Sequence, residues 1–163
     1  MFSRPTRQSD IPALQSILDE TGLFPSALLA ELLDRFLSGG ADSSGDLWIT
    51  VEIPDEGRGG QELMAVGFCY AAPEKLADGA WNMLAIAVAP AAQRRGVGAM
   101  LVAGLETELR GRNQRLLIAD TSGTAQFSAT RAFYVAQGYV EEARIRDFWG
   151  PGDDKVVYWK ALS

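Results

Sequence analysis

The sequence predicts an α+β fold: a mixed, mostly antiparallel central sheet with a βαβ core and helices on both faces. Three observations carry this expectation. The chain has 163 residues, the size of one domain. Its apolar pattern changes repeatedly between helical and strand periods. An almost wholly apolar segment at 81–89 is followed by a helical pattern and then by a short strand pattern, the order of a parallel βαβ unit inside a sheet.

Taken in order, residues 2–7 read as a short edge strand, where Pro5 is tolerated. Ser9 and Asp10 are N-cap types ahead of Ile11-Pro12, so a helix runs to about residue 20 and Thr21-Gly22 stops it. A second helix spans 26–37. Leu28, Leu29, Leu32, Leu33, Phe36 and Leu37 share one face, Glu31 and Arg35 form an i,i+4 pair, and Gly39-Gly40 ends it. Strands follow at 47–53 and 63–71, joined by a Gly-rich loop at 54–60. The apolar strand at 81–89 leads to a helix at 99–110 with Leu101, Val102, Leu105 and Leu109 inward. A strand at 115–119 ends at Asp120, and a helix at 127–137 is capped by Gly138. Strands at 139–148 and 156–162 flank the turn residues Pro151 to Asp154.

Composition removes several functions. Hydrophobic residues make up 47% and charged residues 22%, which describes a globular chain with a real core. The net charge of −6 disfavours nucleic acid and anionic membranes as partners. The longest apolar run, 83–92, is interrupted by Pro90 and is half the ~20 residues of a spanning helix. The first ten residues hold no apolar signal core, so a cytoplasmic protein is expected. One cysteine, Cys69, excludes an internal disulfide and a Cys-rich metal cage, and its apolar setting reads as a buried inert thiol. No histidine is present, so Ser-His-Asp and Cys-His mechanisms are absent and no metal site is expected.

The informative segment is Gln93-Arg94-Arg95-Gly96-Val97-Gly98, between the apolar strand and the next helix. Two glycines let the backbone turn tightly and bring bare amides near a ligand. Those amides open a helix, where the first four N–H groups lack intrahelical partners and the dipole is positive. Arg94 and Arg95 add two cations. From residue 91 to 131, six arginines face three carboxylates, so this window is +3 while the rest of the chain is −9. The product is a pyrophosphate cradle. A kinase-type P-loop is absent, because no Gly-Lys-Ser/Thr follows. A dinucleotide fold would use Asp120, 22 residues beyond Gly98, for ribose. Against it, six residues separate the strand from Gly96, and Leu101 holds the third glycine's place.

Val88-x-Pro90 followed by Gln93-x-x-Gly96-x-Gly98 resembles the acyl-CoA signature of the GNAT acyltransferase superfamily. Thr130-Arg131-Ala132-Phe133-Tyr134 with Gly138-Tyr139 is similar to that superfamily's next helix and strand. The element order fits over the whole chain, and residues 144–155 resemble a bacterial branch of it. The resemblance implies transfer of an acetyl group from acetyl-CoA, as co-substrate, to an amine-bearing acceptor by direct attack. It implies that backbone groups of Ala87 and Val88 pair with the pantetheine arm and that one such amide stabilises the oxyanion. It also implies that Gln93, Arg94, Arg95, Gly96, Val97, Gly98 and Ala99 hold the pyrophosphate, and that Thr130, Arg131 and Phe133 touch the rest of the cofactor. The family's Asn, seven places before its Tyr, is Phe127 here, so that amide contact is missing.

Tyr134 is the candidate general acid, with a phenol near pKa 10 matched to a leaving thiolate. The general base stays open among Asp120, Glu74 and Asp78, with Asn82 and Thr121 able to order a water. Trp48, Trp81 and Trp159 read as core or sheet-face residues; Trp149 is a candidate for shaping the acceptor pocket. Asp153-Asp154 reads as hairpin chemistry, with attraction of a cationic amine as its alternative. The alternative to an enzyme is an acyl-CoA-binding sensor domain of the same fold. Strand edges and the C-terminal hairpin offer a surface for a homodimer.

Overall fold

The computed structural model describes residues 1–39, 45–55 and 62–162. Among the described residues, seven strands and four α-helices follow the expected order: β1 (Phe2–Pro5), α1 (Ile11–Thr21), α2 (Leu29–Gly39), β2 (Leu47–Pro54), β3 (Leu63–Pro73), β4 (Ala80–Val88), α3 (Val97–Gly111), β5 (Leu116–Ser122), α4 (Ser128–Ala136), β6 (Val140–Gly150) and β7 (Asp153–Ala161). The sheet order is β1-β2-β3-β4-β5-β7-β6. β4 and β5 pair in parallel, whereas β1–β2, β2–β3, β5–β7 and β6–β7 are antiparallel. The expected mixed, mostly antiparallel sheet is what forms. The Arg35 side chain, Gly40 and residues 56–60 of the expected loop lie outside the described residues. No described helix is long and apolar enough to cross a membrane.

Two compact units divide the chain, one made of Met1–Ala72 with Ala85–Thr107, the other of Pro73–Leu84 with Glu108–Ser163. In the first unit, Leu14, Ile17 and Leu18 of α1 and Leu29 and Leu33 of α2 pack with Trp48, Phe68, Ala85 and Ala87. Trp48 stacks on Tyr70 at 4.3 Å and on Phe68 at 5.8 Å. The neighbour of Phe68, Gly67, points the opposite way, toward Val97 and Leu101 of α3. Helices therefore cover both faces of β3 in this unit, as the sequence predicts.

Local chemistry accounts for where the elements begin and end. Gly22 adopts φ +63° and its N–H bonds to Leu18 O at 2.7 Å, closing α1 where expected. Asp10 does not cap α1. Its carboxylate accepts the Arg7 N–H at 2.8 Å and a bidentate bond from Arg4, which also pairs with Glu52. Pro25 and a single 3-10 turn at Ser26–Leu28 delay the start of α2, which leaves Leu28 exposed rather than on the buried face.

In the second unit, β5 is longer than expected and runs through Asp120 to Ser122, because β7 pairs with it over that whole length. Asp120 thus lies within the strand. α4 ends in a Schellman closure: Tyr139 N–H bonds to Tyr134 O at 3.0 Å, Gly138 N–H to Val135 O at 2.9 Å, and Gly138 takes φ +82°. The Tyr134 and Tyr139 rings make the apolar contact that accompanies such a closure, 5.8 Å apart. The β6–β7 turn is built by Asp147, which accepts Gly152 N–H at 2.7 Å, and by Asp154, which accepts Asp147 N–H at 3.0 Å. Asp154 is therefore engaged in hairpin chemistry.

Candidate functional site

The cradle lies in the first unit. After β4, a 3-10 turn at Pro90–Ala92 carries the chain to Gln93. Arg94 takes φ +58° and Gly96 φ +85°, so the backbone reverses handedness twice before α3. Only Met1 Cε, at 3.8 Å, would meet a Cβ on Gly96, so that position asks for glycine by its backbone angle and not by crowding. Gly96 O accepts Met100 N–H at 3.0 Å, which makes Gly96 the residue from which α3 starts. The helix begins at Val97, two residues earlier than the sequence predicts, so the N–H groups of Val97, Gly98 and Ala99 occupy its first turn. Gln93, Arg94, Arg95 and Gly96 are exposed, while Val97 is buried and anchors the turn. A cavity of about 220 Å³ beside it is lined by Met1, Ile53, Pro54, Ala92, Arg95 and Val97.

Two of the expected site residues also make contacts within the fold. Gln93 spends its groups on the fold: its side-chain amide donates to Val88 O at 3.1 Å and its N–H to Pro90 O at 3.3 Å. It braces the cradle against the end of β4. Ala87 directs its carbonyl toward β3, 2.9 Å from where a Gly67 Cβ would stand. Ala89 N–H bonds to Val66 O at 2.8 Å on the same side. By strand alternation, the polar backbone groups of Val88 face away from β3, and its carbonyl is the one that Gln93 binds.

The second unit holds Asp120, Thr130, Phe133 and Tyr134. Tyr134 is 3% exposed and packs among Phe133, Tyr139 and Tyr158 at ring distances of 5.5, 5.8 and 5.3 Å. Burial, with the Glu141 charge behind it, raises the Tyr158 phenol above its ordinary pKa. Thr130 and Phe133 are half-buried on α4. Arg131 is a brace: one guanidinium nitrogen donates to Ser122 O and Thr124 O, both at 2.7 Å, and fixes the β5–α4 loop. Ser122 Oγ donates to Asp153 at 2.6 Å, so both turn aspartates serve the fold.

Around Asp120 the side chains form a polar cluster. Asn82 Nδ2 donates to Glu74 at 3.0 Å and reaches Asp120 Oδ2 at 3.4 Å. Lys155 Nζ lies 2.6 Å from the same Oδ2. Asp120 Oδ1 and Asn82 Oδ1 are buried with no hydrogen-bond partner. The sequence brings forward Asp120, Glu74 and Asn82, which meet here; the carbonyl oxygen of Asp78 instead accepts from Arg115 at 2.9 Å. Lys155 is the residue that sequence reasoning misses. It stands opposite Ser122 and diagonal to Asp120 across β5–β7, a relation set by register. Among the described residues, no cluster of three or more His, Cys, Asp or Glu is placed to hold a metal.

A family model described as an acetyltransferase (GNAT) domain matches residues 55–141, just over half of the chain. No curated protein matches it. A GNAT-family protein from Desulfovibrio desulfuricans is similar at 28% identity over 99% of both chains, with a TM-score of 0.87. An aminoglycoside 6'-N-acetyltransferase complexed with coenzyme A shares the fold at 15% identity and TM-score 0.77, over 100% of this chain and 98% of its own. A ribosomal-protein-alanine N-acetyltransferase from Brucella melitensis does so at 20% identity and TM-score 0.76, over 99% of both.

Proposed function

The chain belongs to the GNAT acetyltransferase family, and from that premise we propose that it transfers an acetyl group from acetyl-CoA to an amine acceptor. The observation that carries this reading is the exposed turn from Arg94 to Ala99. Two left-handed residues, two arginines and the first amides of α3 converge there, and that donor set fits a pyrophosphate. Val88, with its backbone turned away from β3, would pair with the pantetheine arm. Thr130 and Phe133 would touch the remainder of the cofactor.

Acetyl-CoA supplies the activated acyl carbon. In the proposed reaction the acceptor nitrogen bonds to that carbon and the carbon–sulfur bond breaks. A β4 amide stabilises the negative charge on the thioester oxygen. The thiolate takes its proton from Tyr134, and the proton lost by the amine goes to a carboxylate, for which Asp120 is the candidate, directly or through water. No acyl-enzyme is invoked, since Cys69 is fully buried and its thiol is pushed up to about 12 by burial.

Calorimetric titration with acetyl-CoA tests the reading, with Gly96→Glu as control. Micromolar binding in the parent chain, lost in the variant, is expected. Absence of binding to a folded parent would overturn it. The alternative, an acyl-CoA sensor without turnover, draws on the burial of Tyr134 in an aromatic cluster. Acceptor-dependent release of free thiol distinguishes the two.

A further inference from the structure

The polar cluster of the second unit leaves two buried oxygens without a donor. Asp120 Oδ2 has Lys155 at 2.6 Å, but Asp120 Oδ1 and Asn82 Oδ1 have no donor although both atoms are buried. Asn82 itself is 7% exposed and commits its Nδ2 to Glu74 and Asp120. Lys155 Nζ also lies 4.9 Å from the Phe148 ring centroid and 6.0 Å from that of Trp149. Those two rings meet edge to face at 4.7 Å and are about half exposed. A carboxylate below and two aromatic rings beside a nitrogen are the surroundings that recognise an ammonium ion.

We propose that Asp120, Asn82, Phe148 and Trp149 form a seat for a primary alkylammonium group, filled in the free chain by Lys155 and taken by the acceptor's ammonium. The second half rests on the acyltransferase reading; the seat itself does not. The chemistry of the acceptors selects the ligand. Two donor-less oxygens call for a group with several N–H bonds, which a quaternary ammonium lacks and a carboxylate cannot supply. Lys155 meets one oxygen and leaves two. Its four-carbon stem is flexible and starts on β7 near the hairpin end, so it can withdraw to solvent when a better donor arrives. In this arrangement Lys155 is a positioning residue: it keeps the seat closed and sets the concentration of amine needed to open it.

The test uses the full chain, Lys155→Met, and Lys155→Met combined with Asp120→Asn. Lys155→Gln replaces the first variant if that one does not fold. Calorimetric titration with n-butylammonium chloride at constant ionic strength should show at least tenfold tighter binding to Lys155→Met than to the parent. The Asp120→Asn change should abolish it, and tetramethylammonium should bind none of the three. Equal binding of n-butylammonium to parent and variant, or equal binding of tetramethylammonium, would overturn the seat. With acetyl-CoA present, the KM of Lys155→Met for primary amines should fall by a similar factor. An unchanged KM with tightened binding would overturn the acceptor role. Failure of the parent to bind acetyl-CoA would instead remove the acyltransferase reading, with the n-butylammonium result still deciding the seat.

Discussion

Gly67 lies in a strand with no turn and no left-handed backbone angle, yet a side chain there has nowhere to go. A Cβ would stand 2.9 Å from Ala87 O, 3.0 Å from Val97 Cγ1 and 3.3 Å from Leu101 Cδ1. The first of these atoms is backbone of β4. The other two belong to buried residues at the start of α3, next to the cradle, at 1% and 0% exposure. None is the free end of a flexible chain, so Gly67→Ala forces β4 and α3 away from β3. Overpacking of this kind costs about 1–3 kcal/mol. In a chain of this length each kcal/mol lowers Tm by about 2–4 °C, so a fall of roughly 2–12 °C is expected by scanning calorimetry. Gly104 is the internal control. Its Cβ would meet the Ser3 hydroxyl at 3.2 Å, a small group that can turn aside. Removing glycine from a helix interior recovers about 1 kcal/mol. Gly104→Ala is therefore expected to hold or raise Tm. Titration with acetyl-CoA should show weaker binding to Gly67→Ala, because Val97 anchors the cradle. A Gly67→Ala protein with unchanged Tm and unchanged affinity would refute the close-approach argument.

The remaining predictions concern protons and reactivity. Tyr134→Phe keeps the aromatic packing and removes the hydroxyl, so turnover should fall by about 10²-fold or more while the affinity for acetyl-CoA holds; undiminished turnover removes Tyr134 as the acid. Burial alone would raise the Asp10 pKa, but the Arg4 guanidinium and the Arg7 N–H outweigh it and hold the carboxyl below its ordinary value. A depressed folded pKa adds stability that is full above the unfolded value of about 3.9 and lost as pH falls through the folded one. Urea midpoints of the parent should therefore exceed those of Asp10→Asn at pH 7 and converge on them in acid; a constant gap refutes the pairing. Cys69 should ignore a thiol reagent in native buffer and react fully in denaturant; native labelling would show that β3 opens.

Much of the fold is legible because its signals are local. The stop at Gly22, the cap at Gly138 and the apolar strand before the cradle depend on runs of a few residues, and each element stands within a few positions of its expected place. The errors occur where distant chain decides. β5 is extended by its pairing with β7, so Asp120 moves from the end of a strand into its body. Asp10 has an N-cap's sequence, but Arg4, six residues away, takes the carboxylate. Gly67 does not draw the eye, because its need for glycine comes from α3 and not from its own backbone.

The same distinction explains why the cradle can be read whole, whereas Asp120, Glu74 and Asn82 can be named but the place of Lys155 beside them cannot. The cradle is made of consecutive residues, and its chemistry is backbone N–H aimed by two positive φ angles at the head of a helix. Spacing alone encodes that. The Asp120 cluster draws one side chain each from the β3–β4 loop, β4, β5 and β7, and its aromatic edge comes from β6. Shifting β7 against β5 by a single residue would turn Lys155 to the other face of the sheet and leave Asp120 without its ammonium. The pairing Asp120↔Val157 sets that register, and no motif in the sequence carries it. The proposed amine seat at Asp120 is thus written in strand register, and titrating amines onto the folded protein is the way to read it.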